Sequence, residues 1–162
     1  MKNNVLVHII VSVCVLLFGI SCTYAPTDIS QVKYRNALSE IGIREEQIDE
    51  RIATTVQQFF YGTDNQRIYY EFFDDMAYIL DVNNNDIRSE GISYGMMFCI
   101  QLDMKTEFDR LWKFAHEMML HKEGDLRGYF AWQLDPNGKI IGTSPAPDGE
   151  LYFATALFMA SN

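Results

Sequence analysis

Two carboxylates in this sequence stand at the foot of long apolar runs. Glu90 lies in NNNDIRSEGISYGMM, between an asparagine-rich turn and a segment that is apolar almost all round. Asp148 lies in SPAPDGELYFATALFMAS, after two prolines and before a second such segment. Each acid adjoins a glycine, Gly91 or Gly149. Two readings are open for each. An acid in a first helical turn complements the helix dipole, and Asp148 after Pro147 also suits an N-cap. Alternatively, two buried helices that start at the same end of a bundle bring both carboxylates to one mouth. GYFAWQ lies between them in sequence and supplies Tyr129, Phe130 and Trp132. Acids and flat aromatic faces in one cleft are what glycoside hydrolysis requires. The competing reading of Trp132 is core packing.

Other candidate chemistry is weaker. His116 and His121 in HEMMLH are five residues apart, whereas a helical zinc site needs them four apart. At 3.6 residues per turn they diverge by about 140°. In DVNNNDIRSEGI, Asp81, Asn83 and Asn85 fit the first ligands of a calcium loop. Asp86 stands where the turn glycine belongs, and Ile92 where the bidentate glutamate belongs. We therefore expect no metal.

The elements that would hold Glu90 and Asp148 are mostly helical. The helix signals cover SQVKYRNALSEIG, which ends at Gly42, and REEQIDERIATTVQQFFYG, where Ile48, Ile52, Val56 and Phe59 form a stripe. EGISYGMMFCIQL follows, with Ser89 as N-cap. KTEFDRLWKFAHEMMLH places Phe108, Leu111, Trp112, Ala115 and Met119 on one side, and a last helix starts near Asp148. RIYYEFFDDMAYILD is aromatic and reads as irregular or short-strand structure. YFAWQLDPNGKII reads as two short strands about the turn Asp135–Gly138. The expectation is five helices and one hairpin. A helix that is apolar all round needs neighbours on every side. Five helices cannot cover two of them, so the chain reads as the front part of a larger helical domain. Cys99, in MMFCI, reads as a buried, inert thiol.

The 162 residues carry a formal charge of −9 and bound the chain to about one domain. Lys2 precedes an apolar run from Val5 to Ile20, broken only by His8 and Ser12, which has the build of a secretory signal. FGISC resembles a bacterial lipobox ending at Cys22, although Gly19 stands where leucine is usual. A soluble secreted form and an uncleaved anchor are the alternatives. Residues 1–21 are thus assigned as signal, 22–30 as tether and 31–162 as the domain. Without residues 1–21, which carry Lys2 and no acid, 141 residues remain, with 12 basic against 22 acidic side chains. That surface argues against nucleic acid or anionic headgroups as partners. Membrane association is expected only through lipid on Cys22, on an exported protein facing the periplasm or cell exterior. Cys99 alone then has no disulfide partner.

YILDVNNNDIRSEGISYGMM, GYFAWQLDPNGK and SPAPDGELYFATALFMAS together resemble glycoside hydrolase family 8, most closely its reducing-end xylose-releasing exo-oligoxylanase branch. The resemblance runs from about Phe60 to the C-terminus. It implies an (α/α)6 barrel, here its N-terminal part with a small β-hairpin insertion. It also implies hydrolysis of β-1,4 linkages with inversion, xylooligosaccharides as substrate and no cofactor. By position, Glu90 matches the general acid, Asp148 the residue that positions sugar and water, and Trp132 a cleft aromatic. Tyr94 and Tyr129 are further substrate-binding candidates. Pro147 and Glu150 depart from the endoglucanase signature, which has Ser or Thr before the aspartate and Asp two after it. The family's general base is an aspartate far downstream, outside this chain. An endo-acting glycanase of the same family and a non-catalytic, lipid-anchored carbohydrate-binding protein are the rival functions.

The lipobox reading predicts that a palmitate analogue fed to cells labels the wild-type protein and not Cys22→Ser. Equal labelling of the two would refute the anchor.

Overall fold

A computed structural model describes residues 35–161. The expected signal, tether and Cys22 lie outside the described residues. The chain divides after Gly42 into two units. In the first, α1 (Ala37–Glu40) is a single turn capped by Asn36, whose Oδ1 accepts from the N–H groups of Leu38 and Ser39. Arg35 grips Glu40 through two bonds of 2.6 and 2.5 Å.

The second unit opens with α2 (Glu45–Tyr61), which carries Glu45 and Glu46 in its first turn, where the dipole favours them. It closes at Gly62, whose N–H reaches the Gln58 carbonyl. The expected stripe drifts. Ile48 and Phe60 are buried and Val56 is half-buried, while Ile52 and Phe59 face out.

Next come β1 (Tyr69–Phe72), β2 (Met76–Asp81) and β3 (Asp86–Arg88), then α3 (Ser89–Gln101) and α4 (Lys105–Phe114), and finally β4 (Gln133–Leu134), β5 (Ile140–Gly142) and α5 (Pro147–Ala160). The five strands form one antiparallel sheet in chain order. The mostly helical expectation holds. The single expected hairpin, however, is only the β4–β5 end of this sheet. The segment that reads as irregular or short-strand structure forms the β1–β2 hairpin, with Tyr69 opposite Ile79 and Phe72 opposite Met76. Ala77, Tyr78 and Ile79 are consecutive and all buried. A strand covered on both faces loses the alternation that marks strands in sequence.

α3 packs against α5, α4 and β2, and α4 lies on β2. Phe114, Phe153, Ile87, Ile92, Met96 and Leu111 are the large side chains at the centre of this core. Gly95 lets α3 sit close to the sheet, because a Cβ there would lie 2.8 Å from Ile79 Cγ1. Cys99 is fully buried and free, and burial pushes its thiol up to about 12, in keeping with an inert role. Apolar side chains on α3 and α5 also reach solvent: Phe98 is 49% exposed, Leu151 65% and Phe158 74%.

The helix expected to run to His121 changes form instead. After Phe114 it widens into a π turn, Ala115–Met119, closed by the Leu120 N–H on the Ala115 carbonyl. Leu120 then bridges to Phe130, and the Ala131 N–H reaches the Met119 carbonyl.

The α3–α5 contact is tightest at its start. A Cβ on Gly149 would stand 2.7 Å from Ser89 Oγ and 3.3 Å from the Glu90 backbone nitrogen. Gly149→Ala must therefore push the helix starts apart. We expect urea unfolding to show a loss of about 1–3 kcal/mol, the usual cost of overpacking.

Candidate active site

Glu90 owes its place to a junction with no loop. β3 ends at Arg88 in extended conformation, and α3 begins at the next residue. The expected cap role of Ser89 is not realised, and Arg88 is the N-cap residue. The Ser89 N–H is instead donated to the Trp132 carbonyl at 3.0 Å, and its hydroxyl lies 3.1 Å from Glu90 Oε2. Glu90 is half-buried beside the sheet, in a cleft of about 280 Å³ lined also by Ile79, Asp81, Arg88 and Tyr94.

α5 starts with Pro147, whose missing N–H is no loss in a first turn. Ala146 is its N-cap residue, so the alternative of Asp148 as the cap falls. Asp148 is exposed and accepts a bond from Tyr94 Oη at 3.3 Å. Tyr94 lies one turn beyond Glu90 on α3 and packs edge-on against Tyr152 of α5, with centroids 4.8 Å apart. Its phenol is held above its ordinary pKa by desolvation first, then by the Asp148 charge and hydrogen bond. Tyr152 and the Glu90 charge add to this. One phenol thus feels both acids, as expected of helix starts that share a mouth.

Trp132 sits just before β4 rather than within a strand. Its N–H reaches the Ser144 carbonyl, and its indole lies against Gly142, where a Cβ would come within 2.2 Å of Nε1. The Arg88 guanidinium carbon is 5.6 Å from the ring centroid. Tyr94 bonds Asp148 and shares a cleft with Glu90, and Trp132 joins them through Ser89 and Arg88. Tyr129 is 51% exposed on the preceding loop, held by backbone bonds to His121 and Leu126. No described hydrogen bond or ring contact ties Tyr129 to the two acids.

Comparison with known proteins decides the family. The family model described as Glycosyl hydrolases family 8 matches residues 78–162, just over half of the chain. The chain belongs to this family. It is 50% identical over 129 residues to the reducing-end xylose-releasing exo-oligoxylanase of Paenibacillus barcinonensis, covering 80% of this chain and 34% of that protein. The enzyme of the same kind from Bifidobacterium adolescentis is 38% identical over 135 residues, covering 83% and 35%. The solved Paenibacillus enzyme in complex with xylose superposes with a TM-score of 0.76 at 50% identity, over 79% of this chain and 34% of that one. A mutant of it bound to an arabinofuranosyl-xylotetraose gives 0.78 at 48% identity, over 82% and 35%. The chain spans about a third of the length of the curated relatives it matches.

Within this family 8 chain, sequence reasoning missed the supports beneath the site. Asp86 is 5% exposed and accepts from Arg88 Nε, Arg88 Nη2 and Gln133 Nε2. The signal was present, since residues two apart on a strand share a face. Asp81 closes the β2–β3 turn, and its Oδ1 accepts the N–H groups of Asn83 and Asn84 while Oδ2 accepts Asn84 Nδ2. The calcium-like spacing is thus a turn signature. His116 bonds Glu117, and His121 Nε2 donates to the Thr143 carbonyl at 2.8 Å, so the two histidines have separate partners.

Glu150 was noted only as a departure from the endoglucanase pattern. Its Oε1 accepts the Phe130 N–H at 2.7 Å, which fastens the aromatic loop to the start of α5. Glu150→Ala strips the partner from a part-buried N–H. Thermal unfolding should show a loss of about 1–3 kcal/mol, and Glu150→Gln, which keeps an acceptor, should recover most of it.

Proposed function

We propose that this chain is the acid-bearing part of an inverting glycoside hydrolase that removes xylose from the reducing end of β-1,4-xylooligosaccharides. The observation that carries the reading is the pairing of two helix starts at Gly149 and Ser89, with Glu90 and Asp148 at one mouth. The exo-oligoxylanase names of the relatives and the xylose and xylotetraose bound in their structures support the substrate class.

In this reading Glu90 is the general acid. It gives its proton to the glycosidic oxygen as that bond breaks, so the leaving sugar departs as a neutral alcohol. Water attacks the anomeric carbon from the opposite face and loses its proton to a base. That base is an aspartate supplied by sequence after residue 162. An inverting pair stands about 6.5–9.5 Å apart, which leaves room for the water. Asp148, oriented by the Tyr94 hydroxyl, holds the sugar and water in line. The Trp132 ring is the platform on which a sugar face rests. The helices described here are the first part of an (α/α)6 barrel whose later helices cover the exposed faces of α3 and α5. The protein is exported and held to a membrane by lipid on Cys22.

Glu90→Gln in the complete enzyme tests the assignment, because glutamine keeps size and polarity and cannot donate the proton. Turnover of unactivated xylooligosaccharides should fall by about 10²–10⁴-fold. A substrate with a good leaving group, which needs little protonation, should lose far less. Equal losses on both substrates would mean that Glu90 only supports the helix start.

A further inference from the structure

Arg88 has no role in the reaction as set out above, yet it meets Asp86, Asp81 and the Trp132 ring and lines the Glu90 cleft. Its Nε and Nη2 donate to the two oxygens of Asp86 at 2.9 and 3.2 Å, the fork arrangement that fixes a guanidinium plane. Asp86 is itself locked, because it is buried and takes a further bond from Gln133 Nε2 at 2.5 Å. Asp81 Oδ2 lies 3.3 Å from Arg88 Nε. The guanidinium carbon sits 5.6 Å from the centre of the Trp132 ring, within cation–π reach. Arg88 is also the N-cap residue of α3, two positions before Glu90, and both line the same cleft. Strand pairing sets Arg88 opposite Gln133, next to Trp132. The arginine therefore stands between the aromatic platform and the acid and is immobilised from below.

We propose that Arg88 is a positioning residue that fixes Glu90 and the Trp132 ring relative to each other, so that a sugar on the ring presents its glycosidic oxygen to the acid. The proposal rests on the reading of Glu90 as general acid. A misplacement of about 1 Å can cost about 10²-fold in rate, so a rigid link between platform and acid has a kinetic consequence. The charges around Glu90 sharpen the expectation. Asp81 comes from β2, Asp86 and Arg88 from β3, Tyr94 from α3 itself, and Asp148 from α5 by way of Tyr94; Gln133 of β4 is neutral. Arg88 is the one cation in this set. Its removal takes a partner from Asp86, from Asp81 and from the Trp132 face at once.

The test uses the complete enzyme with Arg88→Lys and Arg88→Gln, alongside Glu90→Gln on the same unactivated xylooligosaccharides. Trp132 emission is taken as the difference between the spectrum of each protein and that of its Trp132→Phe counterpart. Arg88→Lys keeps the cation and loses the fork. Its kcat should fall about 10–100-fold with a shifted Trp132 emission, while KM changes little. Arg88→Gln, which loses both the fork and the cation, should lose at least as much in kcat with the same shift of Trp132 emission. Wild-type kcat and emission in either variant overturn the proposal. If Arg88→Gln does not fold, the kcat and emission of Arg88→Lys decide alone. Full activity in Glu90→Gln would instead overturn the general-acid reading, a failure separate from any result on Arg88.

Discussion

The close approach of α5 to α3 at Gly149 is the constraint on which the site depends. Two helices whose first turns touch backbone to side chain cannot slide past each other without a clash at Ser89. Glu90 and Asp148 are next to the contact residues, so their separation is set by helix packing rather than by flexible loops. Tyr94 then converts that packing into a polar contact, since it stands on one helix and bonds the acid of the other. The same residues would be far less well placed on connecting segments, which are the most mobile parts of a domain.

The sheet plays the complementary role. β3 runs into α3 without a connecting residue, and the first N–H of the helix is used by the Trp132 carbonyl. The backbone of Trp132 is thus hydrogen-bonded to the helix that carries Glu90. The Trp132 N–H goes to the Ser144 carbonyl, and its indole fits against Gly142, which has no side chain. The sheet edge, Trp132 and the helix start form one continuous network whose polar atoms are largely satisfied by one another.

Signals that act within a few residues were legible in the sequence. A polar loop, a glycine and an apolar run marked the starts of α3 and α5, and the acids at their feet followed directly. The turn residues Asp135–Gly138 marked the β4–β5 hairpin. What stayed hidden depends on partners distant in sequence. β2 does not alternate because packing covers both of its faces. Ser89 resembles a cap, but its N–H and hydroxyl are drawn to Trp132 and Glu90. Nothing near Glu150 announces that its carboxylate reaches Phe130. The stripe on α2 drifted toward Phe60 because the sheet, rather than the helix's own period, selects which side chains are covered.

The π turn after Phe114 carries a consequence for how this region tolerates insertions and deletions. A π turn is an α-helix that has absorbed one extra residue. Here that residue sets the phase at which the chain leaves α4 and pairs Leu120 with Phe130. Deleting one residue between Ala115 and Met119 would restore regular α-helix. It would also rotate everything after it by about 100°. The pairing of Leu120 with Phe130 and the bond from the Ala131 N–H to the Met119 carbonyl would both be lost, just upstream of Trp132. A length change of a single residue, far from the acids in sequence, would therefore displace Trp132 beside them. Substitutions at the same positions would leave the phase intact.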